Sequence, residues 1–200
     1  MRADVAELRL GAGEPVTVIN TVSVGLYPNF VAERERQQKH LRKWPAAVLA
    51  AVRVLREETP TDVPVNGRRA RVWTVFVGIN RNYPGVVAPL HRRRLDDGVL
   101  DVRILHAGSR AHAVGALSFG RRTSAILRAL RLSPASGVGR IVTSSVQVRV
   151  RPQGGQPPGF AHDGEVSIVA PPGETPREGY LTDIRIVPQG LDLYRPARSP

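Results

Sequence analysis

Residues Pro89 to Val102 read Pro-Leu-His-Arg-Arg-Arg-Leu-Asp-Asp-Gly-Val-Leu-Asp-Val, three arginines followed by three carboxylates set around Gly98. Adjacent carboxylates repel, so the Asp96-Asp97-Gly98 turn is cheapest where a cation or donor groups sit close by. Gly98 permits positive φ, which turns the chain and lets backbone carbonyls point inward beside the carboxylates. Carboxylate plus carbonyl oxygens is the ligand set of a hard cation such as Mg²⁺. A solvated Asp-Asp-Gly hairpin turn feeding a strand accounts for the same residues. A second acidic turn, Asp163-Gly164-Glu165, enters the apolar run Val166–Ala170. An exposed turn is the plain alternative there as well.

The elements that must position these turns are mostly strands. Val5–Leu10 alternates with period two, Gly11–Pro15 is a turn, and Val16–Asn20 is dense in β-branched residues. Glu33–Arg42 is highly charged and predicts an exposed helical segment. Pro45 suits a first helical turn, and Val48, Ala51, Val52 and Leu55 make one buried face from Ala46 to Glu58. Asn66-Gly67 predicts a two-residue hairpin between Thr61–Val65 and Arg69–Ile79. The second of these strands is apolar on both faces, Val72/Thr74/Phe76 and Trp73/Val75/Val77, and so should be interior. Asn80–Gly85 reads as a loop and Leu100–Leu105 as a strand. Ser109 caps a predicted helix over 110–132, and Ile141–Val150 reads as a strand. Gly154–Gly159 is a breaker-rich loop. Thr182–Val187 and Leu191–Tyr194 read as two closing strands, with a frayed tail over 197–200. Short strands with two or three inserted helices predict a mainly β (α+β) fold, an antiparallel β-sandwich spanning 1–196.

Composition sets the outer limits. The 200 residues contain no cysteine, which excludes a disulfide framework and any thiolate metal site. The net charge is +12, and Lys39 and Lys43 are the only lysines, so arginine carries the excess. Such a balance suits a polyanionic partner: nucleic acid, an acidic membrane surface or a phosphorylated ligand. Arg2–Glu7 is too charged to form the apolar core of a signal peptide. No apolar run approaches the ~20 residues that a membrane span requires. The expected location is the cytoplasm, peripheral at the inner membrane face.

Taken together, Asn20-x-x-Ser23-x-Gly25, the Pro89–Val102 stretch and Asp163-Gly164-Glu165 resemble the second lobe of the diacylglycerol kinase/lipid kinase family. That family includes bacterial lipid kinases and sphingosine kinases and is distantly similar to NAD kinases. Leu95-Asp96-Asp97-Gly98-x-Leu100-Asp101-Val102 is the most specific piece of the match. The resemblance implies a C-terminal β-sandwich lobe closing on an N-terminal lobe whose Gly-Gly-Asp-Gly-Thr loop cradles ATP phosphates. It implies a Mg²⁺ that belongs to the structure of the active site, held by the Asp97 side chain and main-chain oxygens of Arg94 and Val99. Asp96 is then the neighbouring acid. It places the base that takes the proton from the lipid hydroxyl on Glu165, with Asp163 and Gly164 shaping its turn. Phosphoryl transfer needs positioning and charge neutralisation, and a carboxylate at the acceptor hydroxyl is the usual base.

These 200 residues contain no Gly-Gly-Asp-Gly-Thr or other Gly-rich phosphate loop. The expectation is therefore a transferase half that needs an ATP-binding lobe, in cis or in trans, and that is inactive alone. Its implied partners are a lipid such as diacylglycerol and an anionic membrane, with Arg92-Arg93-Arg94 able to face lipid phosphate. A basic β-rich nucleic-acid- or membrane-binding module without catalysis is the competing class. Nucleic acid is disfavoured, because aromatics are only 5% and do not interleave with arginines on a strand. His91, His106, His112 and His162 lack metal-ligand spacing, and Trp44 and Trp73 read as core.

Overall fold

The computed structural model describes residues 1–26, 33, 36, 43–57, 59–83, 91–108, 113–114, 138–150, 160–167 and 179–194. Short stretches of β-branched residues separated by Gly, Pro and Asn become strands, and nearly all of them join one antiparallel, 11-stranded sheet. In chain order these are β1 (Arg2–Leu10), β2 (Val16–Val18), β3 (Thr21–Gly25), helix α1 (Lys43–Glu57), β4 (Thr61–Val65) and β5 (Arg68–Ile79). A small ribbon follows, β6 (Asn82–Tyr83) with β7 (His91–Arg92). Then come β8 (Leu100–His106), β9 (Val138–Thr143), β10 (Ser145–Val150), β11 (Phe160–His162), β12 (Glu165–Ser167) and β13 (Tyr180–Asp192).

The hub is β5, which pairs with β3, β4 and β8. Asn66 and Gly67 both have positive φ (47° and 77°), the twist-matched turn that joins β4 to β5. From β5 the sheet runs to β8 and on to β9. After Ser144 the chain continues as β10, which pairs with β4. That circuit bends the sheet round on itself, so a single surface does the work expected of two stacked sheets. Its interior holds Leu8, Val22, Val24, Val75, Val77, Ile79, Leu100, Val102 and Phe160, all at most 2% exposed. The outer face of β5 is covered by α1, where Ala50, Ala51, Val54 and Leu55 meet Trp73 and Phe76.

Several sequence expectations change. The faces of β5 are Val72/Val75/Val77/Ile79 and Trp73/Phe76, because an irregularity between Val72 and Thr74 shifts the alternation by one residue. The two expected closing strands are one, β13, of 13 residues. The residues 188–190 that looked like a break bulge out opposite Asp4 while pairing resumes at Leu191. Asn82 and Tyr83 leave the expected loop to pair with Arg92 and His91. Glu33 is buried, not exposed, and bonds Arg53 at 2.8 Å. The expected 110–132 helix lies outside the described residues except for Ala113 and Val114, which are helical.

Candidate functional site

Register brings the three singled-out sequences to one rim. His162 of β11 pairs with Val22, Val22 with Val77, and Val77 with Val102, a row across four strands. Just beyond that row lie the ends that matter: the start of β3 with Asn20, the end of β5 with Asn80, the start of β8 with Asp97, and the Asp163-Gly164 turn. Ile79 donates its N–H to the Asn20 carbonyl (2.9 Å), and Asn80 donates to the Val99 carbonyl (2.8 Å). Backbone hydrogen bonds thus fasten both Asn20 and Val99 to the end of β5.

The Asp96–Val99 turn is held from both sides. Asn80 is fully buried with φ 62°, a conformation that asparagine tolerates better than most residues. Its Oδ1 accepts the Asp97 N–H at 3.1 Å, and Asp97 Oδ2 accepts the Arg81 N–H at 3.2 Å. From the opposite direction Asp4, 2% exposed on β1, accepts the Gly98 N–H at 2.7 Å and the Gln189 N–H at 2.8 Å. Asp4 also donates its own N–H to the Leu95 carbonyl at 2.6 Å. Gly98 has φ 66°, as the turn requires. Arg94 Nε lies 3.1 Å from Asp96 and 3.4 Å from Asp97, so one guanidinium compensates both carboxylates.

The Asp163 turn is fastened to β3. Asp163 has φ 49° and its carboxylate accepts three backbone N–H groups, from Ile19 (2.7 Å), Asn20 (2.6 Å) and Thr21 (3.0 Å). Arg92 closes the gap between the two turns, donating to the Ile19 carbonyl (2.9 Å) and to Asn20 Oδ1 (2.7 Å). Half-burial lowers the Arg92 pKa, and the charges of Asp163 and Asp4 oppose that shift. The three consecutive arginines therefore do three different things: Arg92 points inward to Asn20, Arg93 stacks on Tyr83, and Arg94 neutralises the acidic turn.

Beneath the rim sits a buried ion cluster. Asp101, fully buried, accepts two bonds from Arg140 (both 2.9 Å), two from Arg103 (3.4 and 3.0 Å) and the Asn82 N–H (2.9 Å). Burial alone would raise the Asp101 pKa, but the hydrogen bonds from Arg140, Arg103 and Asn82 hold it below the ordinary carboxylate value. Gly78 lets Asn82 close in, since a Cβ there would overlap the Asn82 side-chain nitrogen.

Glu165 is exposed at the start of β12 and pairs with His162 across the Gly164 turn, where φ is 93°. From β12 to β8 the sheet crosses β11, β3 and β5, about 19 Å along its surface at ~4.8 Å per strand. Among the described residues no three His, Cys, Asp or Glu side chains cluster to hold a metal. The Asp97 turn instead presents one carboxylate, a ligand type that a hard cation accepts, with Arg94 Nε 3.4 Å from it and the Val99 carbonyl already accepting the Asn80 N–H. One buried donor beside it, Asn80 Nδ2, has no hydrogen-bond partner among the described residues. Asp4 and Asn80 carry no site-forming motif in the sequence, and Asp101 stands out there only as the third carboxylate of the Pro89–Val102 stretch. A lone acid between Ala3 and Val5 in an apolar alternating strand was the only available signal for Asp4.

Solved structures share this architecture. Two structures described as a diacylglycerol-kinase-like protein of Bacillus anthracis str. Sterne superpose with TM-scores of 0.50 and 0.51 at 16% identity, over 94% of this chain and 55% of theirs. This chain has their fold. It spans little more than half the length of either. No family model and no curated protein matches the sequence.

Proposed function

We propose that this chain is the C-terminal, lipid-facing half of a lipid kinase that transfers the γ-phosphoryl group of ATP to a lipid hydroxyl such as that of diacylglycerol. The observation that carries the reading is the meeting of Asn20, the Asp96–Val99 turn and the Asp163–Glu165 turn at one rim of a fold shared with diacylglycerol-kinase-like proteins. In this reading the lipid oxygen attacks the γ-phosphorus, the bond to the β–γ bridging oxygen breaks, and Glu165 takes the hydroxyl proton. Asp163 and Gly164 hold the Glu165 turn against β3. Asp97, with main-chain oxygens of Arg94 and Val99, would hold Mg²⁺, and Asp96 would add negative charge beside it. When bound, that ion would neutralise the turn and fix its shape. ATP would be held chiefly by a phosphate-binding lobe supplied in cis or in trans, at the cytoplasmic membrane face.

The test supplies such a lobe, fused ahead of Met1 or added separately, and measures ATP-dependent phosphorylation of diacylglycerol. Glu165→Gln keeps size and hydrogen bonding but cannot accept the proton. Its kcat should fall ~10²–10⁴-fold with KM for lipid little changed. Glu14→Gln, in an exposed turn, is the matched control and should leave the rate unaltered. Equal activity of the two variants would remove Glu165 as the base. Robust turnover by these 200 residues alone would overturn the half-enzyme reading.

A further inference from the structure

The β6–β7 ribbon carries a basic surface that the transfer reaction does not use. Asn80 and Asn82 face inward, so Arg81 and Tyr83 face outward, and both are exposed. Asn82 pairs with Arg92 and Tyr83 with His91. Arg81 and Arg93 adjoin the last pair of that ladder, Asn82 with Arg92, one on each chain segment. Arg93 leans across the ribbon with its guanidinium carbon 4.8 Å from the Tyr83 ring centre. Among the described residues neither the Arg81 nor the Arg93 side chain has a hydrogen bond or ion pair, although Arg92 and Arg94 on either side of Arg93 are both engaged. Like charges brought to the same end of a ribbon repel one another unless an anion lies between them. A third cation borders the same spot. Arg140 is bound to Asp101 through Nε and Nη2 and leaves 41% of its side chain exposed.

We propose that Arg81, Arg93 and the Tyr83 hydroxyl form a site for a phosphate ester. Two guanidinium forks supply planar paired donors, which phosphate oxygens match, and the ring holds Arg93 in place for them. The exposed Tyr83 hydroxyl adds a neutral donor beside Arg93. The site does not depend on phosphoryl transfer, so it stands or falls separately from the kinase reading. The phosphate can come from a membrane lipid headgroup or from a soluble phosphate ester, and one experiment separates the two.

Binding of the 200-residue chain is measured by sedimentation with vesicles of 30% phosphatidylglycerol in phosphatidylcholine, and by titration with glycerol 3-phosphate. Arg81→Gln and Arg93→Gln should each weaken binding about fivefold, the effect of one basic residue near an anionic surface, and the double variant should lose more than tenfold. Tyr83→Phe should weaken it by less. Arg71→Gln, an equally exposed arginine on β5, should bind as the parent does. Urea midpoints matching the parent would show that each variant is folded. Losses confined to vesicles identify a headgroup site, and losses with glycerol 3-phosphate as well identify a soluble ester. Equal losses in Arg71→Gln and Arg93→Gln, or parent-like binding by the double variant, would overturn the site.

Discussion

Asp101→Asn tests the buried cluster on which the rim rests. The carboxylate is fully buried and serves two guanidinium groups that differ in their access to water: the Arg103 side chain is 1% exposed and Arg140 is 41% exposed. Asparagine keeps one acceptor oxygen but removes the charge and turns an NH₂ toward two cations. Arg140 can swing into solvent, whereas Arg103 cannot rehydrate without opening the core. Removing one partner of a buried pair costs about 3–5 kcal/mol. For a chain of this size each kcal/mol is worth about 2–4 °C, so the melting temperature should fall by about 6–20 °C. Arg140→Gln should cost only about 1.5–3 kcal/mol, the value of hydrogen bonds to a charged group, because Arg103 still compensates Asp101. Urea unfolding followed by fluorescence is the assay, with the buried Trp73 as reporter. Asp101→Asn staying within about 1 kcal/mol of the parent, or Arg140→Gln costing more than Asp101→Asn, would refute a buried carboxylate that holds both guanidinium groups.

The same cluster sets an acid limit. The folded Asp101 pKa lies below its ordinary value of 3.8, so its stabilisation is complete above about pH 4 and is lost as the pH falls through the lower folded value. Unfolding free energy measured from pH 6 to pH 2 should therefore fall less steeply in Asp101→Asn than in the parent. Asp163→Asn leaves one acceptor oxygen for three N–H groups, which should cost about 1–3 kcal/mol and speed amide exchange at Ile19, Asn20 and Thr21. If Asp97 holds Mg²⁺, the ion at 100 times its Kd should stabilise the parent by about 2.7 kcal/mol, and Asp97→Asn should abolish that gain. Arg94→Gln, which removes the competing cation, should enlarge the gain; a melting temperature unmoved by Mg²⁺ in all three proteins would exclude the ion site.

Local chemistry alone determined a good deal. Asn66-Gly67 specified its hairpin because few other residue pairs accept two successive positive φ values. The apolar continuity of Val72–Ile79 specified a strand covered on both faces, since water tolerates neither side. The spacing of Ala51 and Leu55 specified the inward face of α1. The acidic turns were legible because adjacent carboxylates and glycine at positive φ are costly unless something holds them. What held them was decided by tertiary structure. Asp97 is bracketed by Asn80 and, through Gly98, by Asp4, partners 17 residues from Asp97 and 94 residues from Gly98 in sequence. Asp163 is gripped by amides more than 140 residues before it. Such partners leave no periodic trace, because a buried polar residue looks local in sequence and finds its donors only when strands pair. The three arginines make the point most simply: as a sequence they are one basic run, yet strand alternation sends Arg92 inward, while Arg93 and Arg94 are placed by whichever ring or carboxylate the ribbon and turn bring near.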